Sequence, residues 1–452
     1  MRPSLSSHAL LVVAPVLVAA AAAFALAGSQ RAALQLSSAV RLGRVTGALF
    51  RGEMAATAGR LTEGARPLPA SEVTSSMADV ARRGDTVAAL GTVSGKLVLS
   101  VALPGENPPG REAGESPSPP GVRGATEPFR PRALHLLGSR TGMRSALYFR
   151  GNRVLAHPPE FGPSTLEEAF EADAPDAPAP SSDRRSMPIS PAPSFLSLDP
   201  GPTALLPIAS GGETPPPLNL LVTPSPTPAG GTMPWGPPLL LVVSCAGGLL
   251  LAWQGRRYGG RLPVLASSAL PVAALWIVVL AWSVRAETWV EEAETRDLIR
   301  TLALLEASPG EGGEAGLDGK EPDRGKEREG ASPEPEGPAG AGGYEMARIR
   351  NGTVVSSTLP EETLERLLAR LPPPPVAFPV TGELPEPGPG AYGAGGGGEE
   401  DLILLFRPER REARVASPMR LGALGGGASL LSLLFLFFAR DPGRDHLVRH
   451  PE

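Results

Sequence analysis

The sequence is poor in the residue types that build catalytic and metal sites. Its single cysteine, Cys245, lies inside an apolar stretch, so no intramolecular disulfide can form, and we interpret it as a small apolar side chain packed among helices. Only His446 and His450 of the five histidines stand four apart, in a tail that favours an exposed segment. No Ser/His/Asp or Cys/His set and no phosphate-binding glycine loop is recognisable. We therefore predict a protein that is not an enzyme and has no cofactor and no metal site.

Charge is also scarce where two other classes of protein would need it. The net charge of −5, the pI near 5.8 and the lack of a basic patch with interleaved aromatics argue against nucleic-acid binding. No Asp, Glu, Lys or His lies in the centre of any long apolar stretch. Transporters, proton relays and channels usually carry such groups within the membrane, so transport is disfavoured.

Glycine and proline are abundant, with 54 and 53 residues, and they cluster. Segments rich in these residues, serine and acidic residues bury too little apolar surface to offset the entropy lost on ordering. We predict four disordered insertions: 105–131, 174–217, 308–343 and 382–399. The alternative is that these segments dock onto a partner and order there.

Four apolar stretches are long enough to cross a bilayer, which needs roughly 20 residues per helix. They are 9–27, 236–253, 262–282 and 421–438. The fold class predicted for the membrane part is therefore α-helical with four transmembrane helices. The first stretch also ends in an Ala-x-Ala pattern typical of a cleaved signal peptide. We favour a retained anchor, because the later segments follow a repeating scheme that uses it.

Positive charge between the second and third stretches sets the predicted topology. The connection 254–261 contains three arginines, and short loops rich in Lys and Arg stay in the cytoplasm. The tail 439–452 is basic as well and is expected on the same side. Residues 28–235 and 283–420 are then two extracytoplasmic modules of a multi-pass protein in the inner (cytoplasmic) membrane of a bacterium, with its large loops on the periplasmic side.

Glycines mark the beginning of the last apolar stretch, at Gly422, Gly425 and Gly426. Small residues let helices approach closely within lipid, so a helix-packing face is predicted here. The alternative is that these glycines only loosen the helix at the membrane surface.

The two external modules look like copies of one plan. Leu147–His157 (LYFRGNRVLAH) and Ala347–Ser357 (ARIRNGTVVSS) both place an arginine before Gly-Asn or Asn-Gly, which suits a two-residue hairpin turn. A predicted helix and then an apolar strand follow each hairpin; the strands are Leu218–Thr223 and Leu402–Phe406. The plan is membrane helix, external helix, β-hairpin, helix, β-strand and membrane helix. The first copy has an extra strand pair, Thr86–Val93 and Lys96–Leu103.

The stretches Leu136–Pro158 and Tyr344–Leu359 resemble the central hairpin of PAS-like, CACHE-type extracytoplasmic sensor domains of bacterial membrane receptors. The resemblance covers about 25 residues per copy. It implies an α/β (α+β) fold with an antiparallel sheet and a small-ligand pocket between the sheet and its loops, without indicating a particular ligand. Such receptors usually continue from the last membrane helix into an output domain, whereas here only a short tail follows Arg440.

If a pocket exists, polar residues of the two hairpins are expected to line it. The predicted ligand-binding residues are Tyr148, Arg150, Arg153, His157, Arg348 and Arg350. Arginine can bind a carboxylate through two parallel hydrogen bonds, so a small anionic ligand is possible. The alternative is that these side chains form the solvated faces of strands.

The leading hypothesis is a non-enzymatic membrane protein with tandem sensor-like modules, which senses a ligand or binds a partner and acts within a complex. Its predicted partners are other membrane proteins of that complex and the lipid bilayer. The rival hypothesis is a structural subunit, or scaffold, that holds a larger membrane assembly together. A third is the sensory half of a longer or split receptor.

Overall fold

The structure is a computed structural model. It describes residues 12–67, 77, 81, 86–104, 122–173, 193–198, 201–208, 218–224, 236–258, 261–307, 338–371, 380–384, 390–396, 401–407 and 426–427. The helices are α1 (Ala14–Glu63), α2 (Arg132–Thr141), α3 (Leu166–Asp173), α4 (Gly236–Tyr258), α5 (Arg261–Ala307), α6 (Pro338–Ala341) and α7 (Glu361–Leu368).

The strands form three antiparallel sheets. They are β1 (Arg66–Pro67), β2 (Val87–Val93), β3 (Lys96–Pro104), β4 (Val122–Pro128), β5 (Arg144–Phe149), β6 (Asn152–His157), β7 (Ser194–Leu198), β8 (Gly201–Ile208), β9 (Leu218–Thr223), β10 (Glu345–Arg350), β11 (Thr353–Ser357), β12 (Val380–Leu384), β13 (Gly390–Gly396) and β14 (Asp401–Arg407). The strand pair predicted before the first module's hairpin is confirmed as β2 and β3, in a four-stranded sheet of order β1-β4-β3-β2.

Three helices in the described part of the chain are long and apolar enough to cross a membrane: α1, α4 and α5. Their apolar parts pack together in one cluster that includes Val16, Cys245 and Leu275. This arrangement agrees with three of the four predicted spans. The fourth, 421–438, lies outside the described residues except for 426–427, which are helical.

Two of these helices are unusually long. The 50 residues of α1 and the 47 residues of α5 correspond to about 75 and 70 Å at 1.5 Å per residue. Both therefore continue without a break from the candidate membrane segments into the part of the protein that contains the sheets. They run parallel and in register, with Phe24 against Trp282, Arg31 against Trp289, and Ser38 and Arg41 against Asp297.

The two five-stranded sheets have the same strand order. One is β6-β5-β9-β8-β7 and the other is β11-β10-β14-β13-β12, which is the same order when the strands of each sheet are numbered along the chain. In both, a short helix follows the hairpin. The third and fourth strands of each order pack against a long helix, which is α1 for the first sheet (β9 and β8) and α5 for the second (β14 and β13).

Several strands lie within segments predicted as disordered insertions, and the prediction is wrong for those residues. β4 lies within 105–131, β7 and β8 within 174–217, and most of β12 and all of β13 within 382–399. The composition of a whole window hid short apolar runs such as Thr203–Leu206. In β13, pairing with β14 and packing on α5 stabilise a glycine-rich sequence that has low intrinsic strand propensity.

The hairpin alignment also needs a correction. In the first hairpin the residues with positive φ are Arg150 and Gly151, while Asn152 already begins β6. In the second they are Asn351 and Gly352. Both turns therefore have glycine at the second central position. Both hairpins also have a register shift that leaves one extra residue on the second strand, Val154 in the first hairpin and Val355 in the second.

Each sheet lies close to its long helix because one partner carries glycine. On α1, a Cβ at Gly43 would lie 2.2 Å from the Leu206 side chain of β8. On the second sheet the glycine is on the strand, and a Cβ at Gly393 of β13 would lie 3.1 Å from the Leu302 side chain of α5. Adding a side chain at either glycine would require the facing leucine side chain to shift.

Candidate functional site

Tyr148, one of the predicted ligand-binding residues, is a core residue. Its side chain is fully buried in β5, and its hydroxyl donates a hydrogen bond of 2.9 Å to the Pro163 carbonyl. Burial raises the pKa of Tyr148 to about 12. The side chain thus ties the sheet to the loop before α3, and it presents no surface to a ligand.

Arg150 and Arg153 lie on the same hairpin but have separate surroundings. Arg150 occupies the exposed turn, with its guanidinium 5.4 Å from the centre of the Phe149 ring. Arg153 donates hydrogen bonds to the carbonyl oxygens of Phe161, at 3.0 Å, and of Gly162. Arg153 therefore holds the loop that Tyr148 also contacts.

His157, at the end of β6, faces α2. Its ring meets that of His135 edge-on, with 5.7 Å between the ring centres. The two histidines line a cavity of about 80 Å³ together with apolar residues of α2, β5 and β6. This volume holds a few water molecules, whereas pockets for metabolites are roughly 300–1,000 Å³.

The second hairpin carries Arg348, which is half-buried, and Arg350, which is exposed at the end of β10. They belong to the other five-stranded sheet, so the structure does not join them with the residues of the first hairpin into one site. Ligand binding by the six residues stays a prediction.

Close helix packing involves glycines that the sequence reasoning missed. A Cβ at Gly248 of α4 would lie 2.7 Å from the Ser267 carbonyl oxygen of α5 and 3.0 Å from Pro271. At Gly426, one of the predicted packing glycines, a Cβ would have nothing within 4 Å, and Gly422 and Gly425 lie outside the described residues. The signal for the α4–α5 contact was the Gly247–Gly248 pair inside an apolar stretch.

The most unusual polar cluster lies between α1 and α5. Asp297 of α5 accepts hydrogen bonds from the Ser38 hydroxyl and from the Arg41 guanidinium of α1. The Asp297 side chain is 2% exposed and that of Arg41 is 18% exposed. Burial lowers the pKa of Arg41, but attraction to Asp297, together with Tyr344 and Glu294 and the hydrogen bond to Asp297, more than offsets it, and the pKa is raised. An ion pair thus fixes the register of two helices from different halves of the chain.

Tyr344 extends this cluster into the second module. It is 3% exposed and directly precedes β10. Burial, followed by the charge of Asp297, raises the pKa of its phenol, while Arg41 and a hydrogen bond with Thr301 act in the opposite direction. The side chain of Thr301 in turn donates to the Asp297 carbonyl at 2.7 Å.

Both modules contact both long helices. Leu304 of α5 belongs to the core of the first module, beside Leu137 of α2. In the reverse direction, a Cβ at Gly342, next to α6, would lie 2.7 Å from Val45 of α1. The α1–α5 pair is therefore shared by the two modules.

A cleft opens along this pair on the side of the candidate membrane segments. It has a volume of about 50 Å³, and its lining residues include Arg31, Trp289, Arg296, Asp297 and Arg300. Arg31 stacks over the Trp289 ring at 5.5 Å. Burial lowers the pKa of Arg300, Asp297 opposes this shift, and Arg296 adds to it. Arg296 of this lining is paired with Glu292 at 3.0 Å, so part of the positive charge of the cleft is already neutralised.

Within the part of the chain that the structure describes, no three His, Cys, Asp or Glu side chains lie close enough together to hold a metal ion. No known protein family matches the chain, and comparisons with curated proteins and with solved structures also give no match. The fold and the polar cluster are therefore the basis for a functional proposal.

The sequence reasoning missed Arg41 and Asp297. Both stand beside apolar positions that were recognised on the external helices, Val40 on α1 and Leu298 on α5. A lone charge bordering an apolar stripe on each of two helices was the available signal. It identifies the pair only once the helices are known to be parallel, because the two residues are 256 positions apart.

Proposed function

We propose that this protein is a non-enzymatic, multi-pass membrane protein whose two external modules bind a partner and transmit their state to the membrane through α1 and α5. The observation that carries the proposal is the pair of unbroken helices, joined by the buried Arg41–Asp297 ion pair. A shift of either helix in the external part has to be accompanied by a shift in the apolar part, since each is one rigid element.

The two external modules are proposed to be duplicates with a PAS-like fold. Their identical strand order, the matching positions of turn and bulge in both hairpins, and the antiparallel sheet with a long helix on one face support this. The arginine-rich 254–261 connection supports an inner-membrane protein with both modules on the outer side.

A protein partner is favoured over a metabolite as the bound species. Two cavities among the described residues, of about 50 and 80 Å³, are several times smaller than ordinary metabolite pockets. The same observation also favours the second candidate function, a structural subunit that joins other membrane proteins without transmitting a change.

The two functions differ in whether the external cluster is coupled to the membrane helices. Cys245 reports on the helices, because it is the only cysteine and lies buried in their apolar cluster. We would measure its rate of reaction with a membrane-permeant maleimide in native membranes, for wild type and for Asp297→Asn. Glu362→Gln is the matched control, since it removes a carboxylate from an exposed ion pair with Arg366.

Coupling predicts that Asp297→Asn raises the labelling rate of Cys245 several-fold and that Glu362→Gln leaves it unchanged. Equal rates in all three proteins would reject transmission. The structural subunit would then be the remaining function, and it predicts stoichiometric co-purification of other membrane proteins from mild detergent.

A further inference from the structure

We propose that the fourth predicted span, residues 421–438, packs along the exposed face of α1 in the same way that α4 packs along α5. The proposal concerns the membrane part alone and does not depend on what the external modules bind. Because α1 and α5 run parallel and in register, each residue of one helix has a matched residue on the other.

The contact between α4 and α5 supplies the template. Gly247 and Gly248 of α4 lie against Leu270 and Ser267 of α5, respectively, and α4 approaches α5 much more closely than it approaches α1. The helix that leaves the first module is thus packed on the helix that leads into the second module, rather than on its own leading helix.

Burial differs sharply between matched positions of the two long helices. Leu275 and Trp282 of α5 are 0% and 3% exposed. Their counterparts on α1, Leu17 and Phe24, are 42% and 52% exposed. The α5 side chains are covered because α5 has a second apolar neighbour, α4. The higher exposure of Leu17 and Phe24 therefore marks the face of α1 that has no such neighbour among the described residues.

The connections allow the same arrangement on α1. Residues 224–235 join β9 to α4, and residues 408–420 join β14 to the fourth predicted span, so the two connections are of nearly equal length. The two sheets from which they start have the same strand order. The chain leaving the second module therefore has the same reach toward α1 as the chain leaving the first module has toward α5.

If the fourth predicted span packs on α1 in the register that α4 has on α5, residues 425–428 lie beside Leu17, the position of α1 that matches Leu275 of α5. This part of the span contains the glycines of the predicted packing face. In the structure Gly426 and Gly427 are exposed, and a Cβ at either would have nothing within 4 Å, so their contact with Leu17 is the inference and not an observation. Glycine opposite a large side chain allows two helices to approach closely. In lipid, this close packing drives helix association, whereas the burial of apolar surface does not.

The single native cysteine makes the proposal testable by disulfide formation in native membranes. In a Cys245→Ala background, Leu17→Cys is combined in turn with a cysteine at each of the four residues 425–428, which cover one helical turn. A protease site inserted within 308–337 separates the two cysteines after oxidation. The matched control places the first cysteine at Val243, an exposed residue of α4.

We expect one or two of the four Leu17→Cys pairs to keep the two fragments linked after cleavage without reductant, at the mass of one chain. The Val243→Cys pairs should fall apart. A product of twice the chain mass would show that a second copy covers this face and would overturn the proposal. It would also be overturned by linkage through Val243→Cys, or by no linkage at any of the four positions.

Discussion

Replacing Asp297 by leucine should destabilise the protein strongly, and replacing Arg41 by methionine at the same time should restore most of the loss. Asp297→Leu leaves a guanidinium between α1 and α5 without its carboxylate. The Arg41 Nε already makes no hydrogen bond within the described part of the chain, so the group has little alternative solvation. The double variant replaces both charges with apolar side chains of similar size.

The magnitude follows from the burial of the pair. Removing one partner of a buried ion pair costs roughly 3–5 kcal/mol, while replacing both by apolar residues is often close to neutral. Because the Arg41 side chain is 18% exposed, we expect Asp297→Leu to cost about 3 kcal/mol, at the lower end of this range. At roughly 2–4 °C per kcal/mol for a unit of this size, the midpoint falls by about 6–12 °C.

The assay is thermal unfolding of the detergent-solubilised full-length chain, followed by intrinsic tryptophan fluorescence. Trp289 lines the cleft beside Asp297 and so reports on this region. A complete cycle of the two single variants and the double variant isolates the coupling, which we expect at about 2 kcal/mol. Purely additive losses would refute the reasoning, because they would show that the two side chains do not act as a pair.

Three further predictions concern other contacts. Tyr148→Phe should cost about 1 kcal/mol near neutral pH by removing one hydrogen bond. Because the pKa of Tyr148 is raised in the folded protein, the wild-type free energy of unfolding should fall as the pH rises from 10 to 12. The variant should lose about 2–3 kcal/mol less than the wild type over this range, measured by urea unfolding at each pH. Glu53→Ala should cost about 1 kcal/mol in the same assay, since Glu53 accepts two hydrogen bonds from the first backbone amides of α2. Glu53→Gln should lose about half as much, because its amide has one acceptor oxygen, whereas each of the two carboxylate oxygens of Glu53 accepts one of the two bonds. Gly248→Ala should speed maleimide labelling of Cys245, whereas Gly247→Ala, whose Cβ would make an ordinary 3.5 Å contact, should not.

Each of these has a result that would count against it. An unchanged alkaline profile in Tyr148→Phe would mean that this phenol does not set the loss of stability. Equal losses in the two Glu53 variants would mean that the charge, and not the capping oxygen, is the important feature. Equal labelling rates in the two glycine variants would mean that α4 and α5 do not approach as closely as described.

Local features of the fold could be predicted from the sequence. The apolar stretches predicted the candidate membrane helices, and Leu298 and Leu302 predicted the continuation of α5 beyond its apolar segment, where both are buried. The hairpins were predicted from their glycine-containing turns, although the first turn is Arg150–Gly151 and not Gly151–Asn152. These features depend on residues close together in the chain.

The remaining features depend on distant residues, and sequence patterns do not contain them. Gly393 lies in a strand because β14 and α5 surround it, not because its neighbours favour extended backbone. Tyr148 looked like a pocket residue, but its hydroxyl reaches a carbonyl in a loop that follows the hairpin. The contact of Arg41 with Asp297 requires the parallel register of α1 and α5, which no local pattern fixes.

The most direct test of the account is disulfide formation between α1 and α5 in native membranes, in a Cys245→Ala background. Cysteines at Phe24 and Trp282 should link on oxidation, because the two side chains face each other at matched positions of the helix pair, with their ring centres 5.8 Å apart. Cysteines at Phe24 and Trp289 should not link, since that pair is two helical turns out of register. Linkage of the second pair but not the first, or of neither, would contradict the parallel helix pair on which the proposed transmission depends.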